Sequence, residues 1–259
     1  MPSKLHPLGK NGPLVPALGF GLMGMSQADY GALPGNEYQY CDSEALLGKW
    51  FRRTGKRDQI FLATNFGFVE HSVTYETDSS AAYCKEACAK SLQKLGVGTI
   101  DLHYLHSANP ETPIETMRAM VELQAEGKIK HIGPSMISST TLRRAYKITP
   151  VAAVQTECSH SRHESSGYLP RFSAENAPTN TVTVNQFKAF ADRKGCTVAQ
   201  LALAWLLKRG DDIFPIPGTK IKYLEENWAA QGISLSDEEE AEIDTFLESA
   251  TIAGGTLPP

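Results

Sequence analysis

Ile60-Phe61-Leu62-Ala63-Thr64-Asn65-Phe66-Gly67 is the stretch on which the fold turns. Ile60 to Thr64 reads as a short buried strand, and helical patterns flank it. Upstream, Ser43 is placed to cap a helix through Phe51, with Leu46, Leu47 and Trp50 on one face. Downstream, residues 80–95 carry Ala82, Ala89, Leu92 and Leu95 on one apolar side. The alternation then repeats. Thr99 to Leu105 predicts a strand and Pro113 to Glu126 a helix stopped by Gly127. Ile132 to Ser135, Thr140 to Lys147 and Val151 to Thr156 continue as strand, helix and strand.

Toward the C-terminus, Val184 to Lys194 and Val198 to Lys208 predict helices, and Ile213 to Ile216 a strand. Tyr223 to Ala230 and Asp237 to Ser249 predict two more helices, the last one opening on the acidic run Asp237 to Glu240 after Ser236. At the other end, residues 4–20 read as a hairpin turning at Asn11-Gly12, followed by a strand at Leu18 to Gly21.

Short apolar strands alternating with amphipathic helices imply βα units around a parallel sheet. Strands fall near residues 18, 61, 102, 133, 153 and 214. A closed barrel of this class needs eight. Residues 22–41 and 159–181 show no period, and they fall where a helix and a strand belong. The expectation is an α/β, TIM-like barrel over residues 1–259 as a single domain, incomplete or opened, with about six clear βα units and two reduced ones. Open strand edges invite association. The two patternless stretches, or a second copy of the chain in a homo-oligomer, are expected to cover them.

The composition narrows the partners. The chain has 259 residues, 41% hydrophobic and 21% charged, with a formal net charge of -4. It has no basic patch of the kind that binds nucleic acid. No apolar run reaches the ~18 residues of a membrane span, and the first residues lack a signal-peptide core. Five cysteines without paired spacing, two of them (Cys84 and Cys88) one helical turn apart, do not form a disulfide framework. A cytoplasmic location is the simplest expectation. Cys158, His160 and His163 lie within six residues and carry zinc-binding groups, but one short loop seldom completes a site. They read as a polar loop, and no metal is expected.

Several runs, taken in order, resemble the aldo-keto reductases, most of all the fungal and plant branch with pyridoxal-reductase-type and aryl-alcohol-type enzymes. They are Leu18 to Met25, Tyr40 to Trp50, Asp101-Leu102-His103-Tyr104-Leu105-His106, Leu169 to Ser173, Pro215-Ile216-Pro217-Gly218-Thr219-Lys220 and Tyr223 to Asn227. The resemblance implies hydride transfer from NADPH to a small carbonyl substrate, with a tyrosine delivering the proton. A free tyrosine has a pKa of about 10 and needs a neighbouring cation to act at neutral pH. The family supplies a lysine held by an aspartate, and a histidine that orients the carbonyl.

Carried over, the tyrosine is Tyr40 and the histidine His106. The lysine position is Asn65, and the aspartate position, five residues before Tyr40, is Gly35. Losing both charges together is coherent, because either one alone would be an uncompensated charge. On the cofactor side, Ser135 and Gln155 match the nicotinamide-carboxamide contacts. Gly218, Thr219 and Lys220 match a phosphate loop, and Glu226 and Asn227 match adenine contacts. The family's seventh strand and the clasp after it have no match beyond Ser159, so the NADP site is incomplete.

The leading expectation is therefore NADP-dependent reduction of an aldehyde or ketone with impaired or altered catalysis. A second is a repurposed non-redox enzyme, catalysing a dehydration, isomerisation or cyclisation with Tyr40 and His106. A third is a non-catalytic binding or regulatory subunit, and a fourth a chain with skipped coding segments. His103, on the outward face of its strand, reads as a packing residue.

Overall fold

The computed structural model describes residues 3–22, 42–69, 76–106, 114–156, 173–218 and 221–254. Gly35, Tyr40, Cys158, His160, His163, Thr219 and Lys220 lie outside them, as does most of both patternless stretches. The chain divides into two compact units. One comprises Met1–Pro7, Leu14–Tyr38 and Ser159–Pro259, the other Leu8–Pro13 and Gln39–Cys158. We call them the helical unit and the sheet unit.

The chain opens on the expected hairpin. β1 (Leu5–Pro7) pairs antiparallel with β2 (Leu14–Pro16). The connection is longer than a two-residue Asn-Gly turn. Asn11 has φ +65°, and the Leu8 N–H donates to the Pro13 carbonyl (2.9 Å).

The sheet unit runs α1 (Asp42–Thr54), β3 (Ala63–Phe66), α2 (Ala81–Leu95), β4 (Ile100–Leu105), α3 (Ile114–Ala125), β5 (Ile129–Pro134) and α4 (Ser139–Tyr146). Helix α1 already includes Ser43, so Ser43 is not its cap. Ser80 caps α2 by accepting from the Tyr83 N–H, and Ser138 caps α4 in the same way. Past the end of α3, Gly127 takes φ +74°. The three strands are parallel in the order β3-β4-β5. Every residue of β4 is buried, as a central strand covered on both faces requires. The core between sheet and helices is built from Phe51, Leu62, Phe66, Leu95, Ile100, Met120, Leu123 and Ile132 with their neighbours. Cys84 and Cys88 are free thiols inside it, and burial pushes them up to about 12 and about 11 respectively. They are inert at neutral pH.

At the start of β4, Asp101 is buried and accepts from the Leu62 N–H (2.9 Å), from Arg57 (2.8 Å) and from Lys130 (2.7 Å). Burial alone would raise its pKa. The Lys130, Leu62 and Arg57 bonds outweigh that and hold it below the usual carboxylate value. This network ties the N-terminal ends of the strands together, the end that serves stability in folds of this kind.

Three expected strands are not regular strands, and proline explains each. Val151 to Thr156 runs parallel to β5, with the Ala152 N–H donating to the Ile132 carbonyl (2.9 Å) and the Gln155 N–H to the Pro134 carbonyl (3.1 Å). Between those bonds lie two steps on β5 but three on its neighbour. Pro134 has no N–H to return, and the extra residue bulges out. Leu18 to Gly21 and Ile213 to Ile216, in the helical unit, likewise run side by side. Gly19 donates to the Pro215 carbonyl (2.9 Å) and Gly21 to the Pro217 carbonyl (3.1 Å), with a parallel bridge at Gly21 and Gly218. Pro217 cannot donate back, so the ladder is one-sided.

The helical unit adds α5 (Ala177–Lys194), α6 (Val198–Lys208), α7 (Ile221–Ala229) and α8 (Asp237–Ser249). Phe187, Ala191, Leu201, Ala204, Leu235 and Ile243 form its core. Helix α5 begins within the stretch expected to be patternless. Its first turns, Ala-Pro-Thr-Asn-Thr-Val-Thr, are weak helix formers. They are held from outside. Asn180 exchanges two hydrogen bonds with Ala253 (3.0 and 2.8 Å), and the Thr183 hydroxyl donates to the Thr251 carbonyl (2.8 Å). Ser236 and Glu239 form a capping box on α8, which is what the acidic run signalled. Among the described residues no helix is long and apolar enough to cross a membrane, no cluster of three or more metal-binding side chains occurs, and the strands do not close into a ring.

Candidate active site

Four of the sequence-derived site residues meet at the C-terminal ends of the parallel strands in the sheet unit. In the register of the sheet, Asn65 on β3 lies opposite Tyr104 on β4, which lies opposite Gly133 on β5. Residues two apart share a face, so His106 and Ser135 belong to this face as well. Ser135 forms a parallel bridge with Gln155. His103 alternates to the other face. It is fully buried and stacks on Phe66 at 5.0 Å, the packing role expected of it.

The side chains of Asn65 and Gln155 touch: Asn65 Nδ2 donates to Gln155 Oε1 at 2.8 Å. From β3 to the Gln155 segment is three strand steps, which in a flat sheet amounts to ~14 Å. Two short amides cannot bridge that. The bond therefore requires the sheet to curl around this face, as a barrel wall does. Gly133 makes the curl possible. A Cβ there would lie 2.5 Å from the Tyr104 ring and 2.7 Å from the Ala153 carbonyl.

The backbone at this end is held tightly. The His106 N–H donates to the Phe66 carbonyl (2.8 Å), Ser135 N–H to Leu105 (2.8 Å), and Met136 N–H to Gln155 (3.0 Å). Met136 sits at φ +52°, an uncommon conformation for a non-glycine residue and one enriched beside functional sites. The His106 ring meets Phe68 edge-on at 4.8 Å. Burial lowers its pKa, so the ring is neutral at pH 7. Tyr104 is pushed up to about 12 by burial and stays protonated. The face therefore presents hydrogen-bonding groups without a formal charge. The Thr64 hydroxyl donates to Glu44, tying the first turn of α1 to the residue before Asn65. Nothing in strand periodicity pointed to that contact. Its one signal was that Glu44 lies inside the Tyr40 to Trp50 run.

Of the other candidate residues, Gly218, Glu226 and Asn227 are described and belong to the helical unit. Gly218 stands at the bridge to Gly21. Glu226 is engaged locally, its carboxylate accepting from the Thr197 hydroxyl (2.5 Å) at the cap of α6. Its backbone carbonyl accepts from Gln200 (3.1 Å). Asn227 is buried at 9% exposure.

The model of the aldo/keto reductase family matches residues 23–180 and 169–248. The chain belongs to that family. Aldo-keto reductase str7 of Strobilurus tenacellus is 35% identical over 324 residues, covering 98% of this chain and 95% of the relative. Aldo-keto reductase yakc [NADP(+)] of Schizosaccharomyces pombe is 35% identical over 316 residues, covering 95% and 92%. The first alignment spans 324 positions and this aldo-keto reductase has only 259 residues. A length equal to about two βα units, at roughly 30 residues each, therefore has no counterpart here.

Among solved structures, the glycerol dehydrogenase AKR11B4 of Gluconobacter oxydans superposes with a TM-score of 0.77 at 20% identity, over 97% of each chain. The thermostable aldo-keto reductase Tm1743 gives 0.72 at 23% identity, over 94% of this chain and 99% of that one. The α/β fold is thus that of the aldo-keto reductase TIM barrels.

Proposed function

We propose that this aldo-keto reductase is an NADP-linked oxidoreductase of a small aldehyde or ketone, working without the lysine and aspartate that activate the tyrosine in its family. One observation carries the reading: Asn65, His106, Ser135 and Gln155 come from four separate strand segments and share one sheet face and one strand end. Active sites in barrels of this class lie at the C-terminal strand ends. The relative named for NADP(+) supports the choice of dinucleotide. Buried Ser135 beside Gln155 suits a carboxamide, which needs donors and acceptors rather than charge.

When bound, the reduced dinucleotide supplies the hydride that reaches the carbonyl carbon. His106, kept neutral by burial, donates a hydrogen bond to the carbonyl oxygen and fixes its orientation. Tyr40 gives that oxygen its proton. Asn65 is neutral and cannot lower a phenol's pKa as an ammonium does, so proton delivery is slow, by roughly two orders of magnitude. The opened barrel and the shortened cofactor clasp belong to the same proposal, and they weaken dinucleotide retention further.

Dinucleotide oxidation across a broad aldehyde and ketone panel tests the reading. Slow, protein-dependent NADPH consumption that drops at least tenfold in His106→Ala is the expected result. No consumption above background, from protein that melts cooperatively, would sink it. Cofactor-independent turnover of a carbonyl compound would move the assignment to the non-redox alternative.

A further inference from the structure

The Asn65–Gln155 bond has its own chemistry. A primary amide carries one carbonyl acceptor and one NH2 donor group. One hydrogen bond between two amides uses a C=O from one and an N–H from the other. What stays unused is the C=O of the donating amide and the NH2 of the accepting one, with one spare N–H beside them, whichever way round the two groups are turned. Asn65 and Gln155 together thus form a fixed acceptor–donor couple. Each is partly buried, and they sit on a face whose other polar members at that end, Tyr104, His106 and Ser135, bear no formal charge. The backbone at Gln155 is fixed as well, because its N–H and C=O are both taken, by Pro134 and Met136.

We infer that Asn65 is a positioning residue, which clamps the Gln155 amide so that the couple reads a neutral carboxamide and rejects a carboxylate. A carboxamide offers one acceptor and one donor, the complement of what the couple presents. A carboxylate offers acceptors only and would face the couple's carbonyl oxygen with nothing to give it. This inference rests on the dinucleotide reading above, with the carboxamide being that of the nicotinamide. It gives the substituted position a role in ligand selection, separate from the proton transfer it no longer supports.

The test is calorimetric titration with NADP+ and with its deamido analogue, in which the carboxamide –NH2 is replaced by –O−. The folded wild-type chain is expected to prefer the carboxamide form by about tenfold or more, the worth of one lost hydrogen bond plus one acceptor–acceptor contact. Asn65→Leu removes the clamp, and the preference should fall toward unity. Asn65→Asp keeps the shape but only accepts. It draws the Gln155 NH2 to itself and leaves two acceptors facing the ligand. Affinity for NADP+ should then drop while the preference against the carboxylate grows. A merely structural role would lower both affinities in proportion and leave the ratio alone. An unchanged ratio in both variants overturns the inference even if NADP+ still binds. If the wild type binds neither dinucleotide, the cofactor reading falls first and takes the inference with it.

Discussion

His103 shows how one residue can govern the response of the whole fold to pH. It is fully buried, and neither ring nitrogen has a hydrogen bond of good geometry. Burial pushes its pKa down to about 4, against a weaker opposing pull from the Thr64 backbone. Above about pH 6.5 the ring is neutral in both the folded and unfolded chains, and its contribution is complete. Below that the unfolded chain takes up a proton that the fold refuses. Stability should fall by about 3 kcal/mol between pH 6.5 and about 4, then level off for this group. Urea titrations across that range should show the slope, and His103→Phe, which keeps a ring against Phe66, should flatten it. A slope that persists in the variant contradicts the assignment. Asp101, held low, loses its contribution only below the ordinary carboxylate range, so the two windows separate. Gly133 makes a second test at this scale. Gly133→Ala drives a methyl into the Tyr104 ring and the Ala153 carbonyl, and should cost about 1–3 kcal/mol. It should also weaken dinucleotide binding through Gln155, whereas an unaltered melting temperature would argue against the curled sheet.

At the scale of elements, the cap of α6 couples a helix start to a candidate ligand residue. Thr197 accepts from the Gln200 N–H in a capping box and donates to Glu226. Thr197→Ala should cost about 1 kcal/mol in urea unfolding, and less than ~0.3 kcal/mol would mean the cap carries nothing. Elements that bury a periodic face were legible in the sequence. Helices α2, α6 and α8 lie within a residue or two of their expected limits; Ser236 signalled the start of α8, and Ser80 and Thr197 cap the other two. Strand ends were not legible. The Gln155 bulge depends on Pro134, some twenty residues away in sequence, and the one-sided ladder at Pro217 depends on Gly19. Only pairing partners reveal such defects. The beginning of α5 was hidden for the same reason, since its Thr- and Asn-rich turns are stabilised by Thr251 and Ala253 rather than by their own propensity.

At the scale of the molecule, the candidate site was half legible. Motif order pointed to Asn65, His106, Ser135 and Gln155, and the sheet register gathers them. The hydrogen bond between Asn65 and Gln155 was not foreseen, because the resemblance assigned one to the catalytic group and the other to the cofactor contacts. A chain shorter than its relatives by about two βα units, yet with Asn65, Ser135 and Gln155 gathered on one strand-end face, should on the proposed reading still bind the dinucleotide, with less grip than a full-length clasp gives. Titration of the folded chain with NADPH, followed by tryptophan fluorescence or calorimetry, decides this most directly. Saturable 1:1 binding in the micromolar range, about -8 kcal/mol, is the predicted result. No saturable binding up to millimolar NADPH would contradict the account.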